Sequence, residues 1–231
     1  MTAARVLAWR HGRTAYNLQA RLQGQVDIPL DDVGHWQART AAAALLSHHE
    51  PAVIVSSDLT RARQTAAYLG RATGLEVRTD QRLRERGFGI WEGMTGEEIT
   101  VNWPTEYADW RVGLDPQGVQ AEARAQVGVR VAEAIVEHAA ATPTGTLVIV
   151  SHGSAIAAGL SAMLGVPAGW HGLVGMHNAH WANLTPARGP VDPAWRLHGY
   201  NLGPTDASRN WHAGPDPEPD DDADFGTRDP D

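Results

Sequence analysis

The chain has 231 residues, of which 42% are apolar, so it is long enough for one globular domain with a sizeable core. It has no cysteine and no lysine, which excludes disulfides, thiolate zinc sites, cysteine nucleophiles and Schiff-base lysines. The formal net charge of −8 disfavours nucleic-acid binding through a basic face. Recognition of an anion by a basic side chain must therefore come from arginine or histidine.

The end of the chain differs in composition from the rest. Residues 204–231 contain many Pro and Asp residues, which predicts a disordered acidic tail after a domain that spans residues 1–203. An acidic segment that binds a partner is the alternative. No apolar run is long enough to cross a membrane and no secretory signal is expected, while the absence of cysteine favours a cytoplasmic protein.

Three short apolar runs predict buried parallel strands, and each is followed by a polar cluster and then by a helical pattern. Their bounds are Val6–Trp9, Val53–Val55 and Leu147–Val150. Helices are predicted at Trp36–Ser47, Thr60–Arg71, Glu97–Trp110, Val119–Ala141 and Ala155–Leu164, and shorter strands at Glu76–Thr79, His180–Leu184 and Trp195–His198. This alternation predicts an α/β fold, a three-layer α/β/α sandwich with a mostly parallel sheet.

Local signals predict where several helices begin. Thr95 precedes Glu98 by three residues, the spacing of a capping box for the third helix. The carboxylate of Asp58 is expected to cap the second helix, which places Arg61 in its first turn.

The predicted strands deliver basic side chains to one edge of the sheet. In open α/β sheets, ligands bind beyond the carboxyl ends of the strands. Each of the three strongest strands leads there to arginine or histidine, namely Arg10, His11, Arg61 and His152. Arginines donate forked, charge-assisted hydrogen bonds to a tetrahedral dianion, and one imidazole can act as a nucleophile while the other donates. The set therefore predicts a site for phosphoryl transfer.

Each of these motifs taken alone has little specificity. A serine–histidine hydrolase is an alternative explanation of the Ser-His-Gly motif, but the chain has no Gly-x-Ser-x-Gly elbow. The joint occurrence of the motifs at three strand ends favours a functional site over coincidence.

The same motifs also carry a family resemblance. The segment from Leu7 to Asn17, which reads LAWRHGRTAYN, resembles the opening of the histidine phosphatase superfamily, also called the phosphoglycerate mutase-like family. Matching segments follow in the order typical of that family, at residues 21–24, 27–30, 57–66, 83–85, 89–93 and 151–153. The resemblance implies the phosphoglycerate mutase-like version of the predicted sandwich.

The resemblance implies a role for each member of the site. His11 would attack phosphorus and become a phosphohistidine, while Arg10, Arg61 and His152 would hold the phosphoryl oxygens. Glu85 would protonate the leaving alkoxide and later help to activate water. The positions that match substrate-binding residues of the family are Arg10, Thr14, Asn17, Gln23, Gly24, Arg61, His152 and Gly153.

Two details leave alternatives open. Glu85 lies in the arginine-rich run RLRER, so a solvated ion-pair cluster is the alternative to a general acid. Neighbouring arginines would oppose proton donation, whereas burial or a bound phosphate would favour it.

His177 and His180 have a spacing compatible with metal binding, but no third ligand is evident, so neither a metal nor a cofactor is expected.

Within the family, the sequence favours a phosphatase over a mutase. Mutases of the family usually carry a lysine after the glutamate-bearing segment, and this chain has none; its residues 88–95 read FGIWEGMT, closer to the phosphatase branch. The expected substrate is a small phosphorylated metabolite, either a sugar phosphate or a phosphoglycerate derivative. The branch is commonly dimeric, which implies a homodimer. A mutase, a broad scavenging phosphatase and a phosphoester-binding pseudo-enzyme are the alternatives.

Overall fold

The computed structural model describes residues 2–204 and 211–214. Its strands are β1 (Arg5–Arg10), β2 (Pro51–Ser56), β3 (Val77–Thr79), β4 (Thr146–Ser151), β5 (Trp181–Pro186) and β6 (Trp195–Leu202). They form a six-stranded sheet in the order β3-β2-β4-β1-β5-β6. Strands β3, β2, β4 and β1 are parallel, whereas β5 is antiparallel to β1 and β6 to β5. The predicted mostly parallel sheet is confirmed.

The helices are α1 (Ala15–Leu18), α2 (Asp32–His48), α3 (Thr60–Thr73), α4 (Gly96–Asn102), α5 (Pro104–Arg111), α6 (Arg124–Ala140) and α7 (Gly153–Met163). Two short 3-10 turns lie at Gln81–Leu83 and Gly89–Trp91. Within the described ranges, no helix combines the length and the apolarity needed to cross a membrane.

The core is divided in two by the sheet. Successive side chains of a strand point to opposite faces. On β1, Val6 and Ala8 therefore join one hydrophobic cluster, whereas Leu7 and Trp9 join the other. Helices α6 and α7 contribute to the first cluster, and α2 and α3 to the second. This arrangement confirms the three-layer α/β/α sandwich.

The helix predicted at Glu97–Trp110 is in fact two helices, α4 and α5. Pro104 lacks an N–H donor and disfavours helical backbone at the residue before it. That residue, Trp103, has φ −138° and ψ 59°, and the helix breaks there. The predicted capping box of Thr95 and Glu98 at the start of α4 is confirmed.

The long helix predicted at Val119–Ala141 begins later, at Arg124. The residues before it form a loop in which Gln120 has φ +58°, a value outside the right-handed helical region. Val119 is buried and packs in an apolar cluster with Trp91. Residues 119–123 are therefore not helical, because tertiary packing holds them in a loop.

Asp58 does not cap α3, which begins after Leu59; the N–H of Thr60, the first residue of α3, instead donates to the carboxylate of Asp27 at 2.7 Å. The Asp58 carboxylate instead accepts two hydrogen bonds from Arg84, at 2.8 and 2.6 Å. These bonds lower the pKa of Asp58, and a bidentate, charge-assisted pair is a stronger interaction than a single cap. Arg61 still lies in the first turn of α3, as predicted.

Part of the predicted tail packs against the domain. Trp211 is 4% exposed, and its ring centroid lies 5.0 Å from that of Trp36. Its Nε1 donates to the carbonyl of Asn178 at 2.9 Å, and its own carbonyl accepts from Gln37 at 2.7 Å. These contacts assign residues 211–214 to the domain and correct the expected tail there. The remaining tail residues, 205–210 and 215–231, lie outside the described residues, and the boundary at 203 stays a prediction.

Candidate active site

The carboxyl ends of the parallel strands β1, β2 and β4 meet at one cavity of about 300 Å³. Arg10 and His11 reach it from the end of β1, and Arg61 reaches it from the first turn of α3, after β2. Glu85 enters from the loop after the 3-10 turn at Gln81–Leu83. Other predicted site residues that line the cavity are Asn17, Gln23, Gly24 and Gly153.

His11 is buried, and its hydrogen bond fixes the position of its proton. Nδ1 lies 2.7 Å from the carbonyl oxygen of Gly12, which can only accept, so Nδ1 carries the proton and the lone pair lies on Nε2. Burial, followed by the charges of Arg61 and Arg10, holds the pKa of His11 well below its usual value, against the opposing effect of the Gly12 bond. His11 is therefore a neutral imidazole whose Nε2 has no hydrogen-bond partner among the described residues, the form that a nucleophile requires.

His152 is fully buried at the start of α7, and its ring centroid lies 5.1 Å from that of His11. Its Nδ1 accepts from Nε of Arg61 at 3.1 Å, and its Nε2 donates to the hydroxyl of Ser57 at 2.9 Å. Burial and the charge of Arg61 lower the pKa of His152 well below its usual value. Both ring nitrogens thus have protein partners, so His152 orients Arg61 in this structure, where the sequence predicts a direct bond to a phosphoryl oxygen.

Arg61 is a buried cation and Arg10 a half-buried one, and both have unused donor capacity. Arg61 donates to the carbonyls of Val26 at 2.7 Å and Gly24 at 2.8 Å, and burial lowers its pKa to about 10, so it stays charged at neutral pH. Arg10 donates to the carbonyl of Met176, but its buried Nε has no hydrogen-bond partner among the described residues. The remaining donors can bind a tetrahedral anion.

The carboxylate of Glu85 is held by backbone at the start of α7. It accepts hydrogen bonds from the N–H groups of Ser154 at 3.1 Å, Ala155 at 2.8 Å and Arg86 at 2.8 Å. The N-terminus of a helix also favours negative charge. The alternative of a solvated ion-pair cluster is excluded, because Glu85 is 9% exposed and makes no ion pair in the part of the chain that is described.

Thr14 lies behind the cavity, where it orients two amides. It is fully buried, and its hydroxyl donates to Oε1 of Gln23 at 3.0 Å. Its N–H donates to Oδ1 of Asn17 at 3.2 Å, and the same oxygen accepts from Asn178 at 3.1 Å. Because both amide oxygens are occupied, the NH₂ groups of Asn17 and Gln23 are available as donors in the cavity. Thr14 therefore positions the predicted substrate-binding residues and does not line the cavity itself.

Sequence analysis missed two supporting residues. Ser57 accepts a hydrogen bond from Nε2 of His152, whose tautomer is set by the donation from Arg61 to Nδ1. Asn178 donates to the backbone carbonyl of His11 at 3.2 Å as well as to Asn17. Ser57 lies inside a matched motif, SDLTR, so its strand-end position was a usable signal. Asn178 lies far along the chain from both of its partners and had no such signal.

Gly24 has a local reason to be glycine. Its φ is +51°, and a Cβ placed on it would lie 2.0 Å from the carboxylate of Glu92. The missing side chain lets the Gly24 carbonyl reach Arg61 while Glu92 accepts from the next N–H, that of Gln25.

The outer part of the cavity is mainly apolar and aromatic. Its lining residues are Leu22, Phe88, Trp110, Leu173, Val174, Met176 and Tyr200. Arg21 is the cation of this outer part among the described residues, and it already donates to the carbonyl of Gly93 at 2.6 Å and to Glu98 at 3.1 Å. The cavity therefore has one strongly cationic end and an apolar outer wall.

The His177 ring lies 5.3 Å from that of His180 and 5.1 Å from that of His212. Across residues 2–204 and 211–214, however, no group of three or more His, Cys, Asp or Glu side chains is arranged to hold a metal ion.

Comparisons with known proteins agree with this geometry. The family model described as "Histidine phosphatase superfamily (branch 1)" matches residues 6–201. Glucosyl-3-phosphoglycerate phosphatase of Mycobacterium tuberculosis is 40% identical over 214 residues, which cover 87% of this chain and 96% of that protein. A solved structure of mycobacterial glucosyl-3-phosphoglycerate phosphatase with VO3 has a TM-score of 0.78 and 39% identity, covering 87% of this chain and 100% of that one.

A protein named probable phosphoglycerate mutase, from Serratia proteamaculans, is 38% identical over 164 residues, 69% of this chain and 74% of that protein. The α/β/α sandwich, with arginine and histidine pairs at the carboxyl edge of its parallel strands, has the architecture of a phosphoryl-transfer protein. The chain belongs to the histidine phosphatase superfamily.

Acidification should destabilise the protein through His11. Its pKa lies well below 6.5 in the folded state and near 6.5 in the unfolded chain, so below about pH 6.5 the unfolded state binds one more proton. The free energy of unfolding then falls with pH, by up to about 1.4 kcal/mol per pH unit for this group. Urea denaturation between pH 7.5 and pH 5 should give a shallower pH dependence for His11→Asn than for the wild type. Equal slopes would contradict the neutral, buried state of His11.

Proposed function

We propose that this chain is a phosphomonoester hydrolase that acts through a phosphohistidine at His11. The observation that carries the proposal is the free Nε2 of a neutral, buried His11 in a cavity shared with Arg10, Arg61 and Glu85. The similarity to a glucosyl-3-phosphoglycerate phosphatase, and to a structure of that enzyme with VO3, supports it.

In the first half-reaction, the lone pair on Nε2 of His11 forms a bond to phosphorus while the bond from phosphorus to the ester oxygen breaks. Arg10 and Arg61 donate to the non-bridging oxygens and stabilise the transition-state charge. His152 keeps Arg61 in place. The leaving oxygen takes a proton from Glu85, so a neutral alcohol departs and Glu85 becomes a carboxylate.

In the second half-reaction, water attacks the phosphohistidine. Glu85 takes a proton from this water as the oxygen bonds to phosphorus, and the bond between phosphorus and Nε2 breaks. The products are inorganic phosphate, a neutral His11 and a protonated Glu85, ready for the next cycle. The N–H groups of Ser154 and Ala155 hold the carboxyl group of Glu85 at the start of α7 through both steps.

We propose a phosphoglycerate derivative as the substrate, and glucosyl-3-phosphoglycerate in particular. The mycobacterial relatives carry that substrate in their names. The cavity suits a substrate with one phosphate and a bulky second part, because apolar and aromatic side chains, including Phe88 and Trp110, line it beside the cationic residues. Another sugar phosphate would fit the same description.

A phosphoglycerate mutase is the second candidate, since one relative bears that name. A mutase must bind a second acidic end of its substrate. The lysine usual in mutases of the family is absent, and Arg21, the outer cation among the described lining residues, already has Gly93 and Glu98 as partners. This arrangement favours hydrolysis over transfer between two ends of one substrate.

The proposal includes three further properties. We propose metal-independent turnover, because Arg10 and Arg61 can neutralise the phosphoryl charge without a cation. The absence of cysteine supports a cytoplasmic location, and the family resemblance supports a homodimer. The partner of the site is a small phosphorylated molecule.

A panel of phosphorylated sugars and glycerates, including glucosyl-3-phosphoglycerate, should identify the reaction. We expect phosphate release from one member with a kcat/KM at least about tenfold above the others, a difference of about 1.4 kcal/mol in transition-state binding. The His11→Ala control should reduce release to the buffer background. Uniformly weak rates would favour a scavenging phosphatase, and activity that depends on a bisphosphate primer would favour a mutase. Binding without turnover would identify a pseudo-enzyme, and activity retained by His11→Ala would overturn the proposal.

Glu85→Gln should slow substrates according to their leaving groups. Alkoxides need a proton to depart, so the single-turnover rate of phosphoenzyme formation from the best alkyl phosphate of the panel should fall by about 10²–10⁴. With p-nitrophenyl phosphate, whose leaving group departs unprotonated, phosphoenzyme formation in a rapid-quench burst should change far less. An equal loss in both single-turnover rates would remove Glu85 from the role of general acid.

A further inference from the structure

The loop that presents Glu85 is held from behind by one arginine of α6. Nη1 of Arg130 donates to the carbonyls of Arg82 and Arg84, both at 2.7 Å, and Nη2 donates to the carbonyl of Glu85 at 3.0 Å. The loop has no helix or strand of its own between the 3-10 turns at Gln81–Leu83 and Gly89–Trp91. A single guanidinium therefore supplies hydrogen bonds that secondary structure does not.

Arg130 is itself fixed by Glu122. Nε and Nη2 of Arg130 donate to the two carboxylate oxygens of Glu122, at 2.7 and 2.8 Å, in a bidentate pair. The backbone of Glu122 exchanges contacts with the far side of the same loop: its N–H donates to the carbonyl of Gly87 at 2.8 Å, and its carbonyl accepts from Arg86 at 2.8 Å. The Arg130–Glu122 pair thus brackets the loop on both sides of Glu85.

The geometry requires the arginine fork. Arg130 uses all three of its nitrogens at once, towards three carbonyls and one carboxylate. A lysine carries its three donors on one atom and does not match this planar, spread arrangement. The pair is mostly buried, with Arg130 and Glu122 side chains 20% and 22% exposed, so solvent cannot readily replace these bonds.

We propose that Arg130 is a positioning residue for proton transfer, which places the Glu85 carboxylate by holding the backbone that carries it. This inference rests on the proposed role of Glu85 as general acid and base. Proton transfer needs heavy atoms within hydrogen-bond reach, and a displacement of about 1 Å can cost about 10²-fold in rate. Loss of Arg130 should therefore impair the proton-transfer step specifically, and not phosphate binding.

The test is the leaving-group dependence of Arg130→Met in single-turnover experiments. We expect the rate with the best alkyl phosphate of the panel to fall by about 10- to 100-fold, and the burst with p-nitrophenyl phosphate to fall by less than about threefold. Arg130→Lys should restore little. The matched control is Arg82→Met, which removes an arginine of the same region whose side chain pairs with Asp80 and Glu137 and does not hold the Glu85 backbone; it should leave both rates unchanged.

Glu122→Gln provides a milder second variant if Arg130→Met does not fold, and it should show the same selectivity with a smaller loss. A folded Arg130→Met or Glu122→Gln variant that lost activity equally on the alkyl phosphate and on p-nitrophenyl phosphate, or lost none, would overturn the inference. The proposed function would still stand in that case, provided that Glu85→Gln slowed the alkyl phosphate selectively. If Glu85→Gln itself showed no selectivity, the role of Glu85 would fail, and the inference about Arg130 would fail with it.

Discussion

Two guanidinium groups at the carboxyl edge of the sheet, the buried one of Arg61 and the half-buried one of Arg10, organise the rest of this structure. Burying a cation is costly unless hydrogen bonds and opposite charge replace its hydration. The carbonyls of Gly24, Val26 and Met176 supply part of that replacement to Arg61 and Arg10, and Glu85 adds negative charge nearby. Some guanidinium N–H groups have no partner among the described residues, including Nε of Arg10. A phosphoryl group can accept hydrogen bonds from them.

Burial and the same two charges together determine the state of the histidines. Because burial opposes any charge, and Arg61 and Arg10 oppose a further positive charge, the pKa of His11 is lowered and its imidazole is neutral. His152 is neutral for the same reasons and can accept from Arg61, which a protonated imidazole could not do at Nδ1. The placement of the two cations thus leaves donors for an anion and helps to keep His11 neutral, as the proposed reaction requires.

The predictability of this site from sequence depends on how far apart the partners lie. His11 and Arg61 can be predicted because each follows an apolar run that must be a buried strand, and such ends converge in a parallel sheet. The carboxylate of Asp58 cannot be assigned in the same way, because its partner Arg84 is 26 residues away and no local pattern joins them. The contacts of Asn178 likewise depend on tertiary structure. Packing also overrides local pattern at residues 119–123 and 211–214.

The proposed function depends on transfer of the phosphoryl group through Nε2 of His11. The most direct measurement mixes the enzyme with ³²P-labelled p-nitrophenyl phosphate, quenches in alkali within milliseconds and locates the label by peptide mass spectrometry. We expect a label on His11 that is stable to alkali and labile to acid. It should be absent from His11→Asn and should accumulate in Glu85→Gln, because that variant lacks the base for the second step. A label on another residue, or full phosphate release with no labelled intermediate, would contradict it.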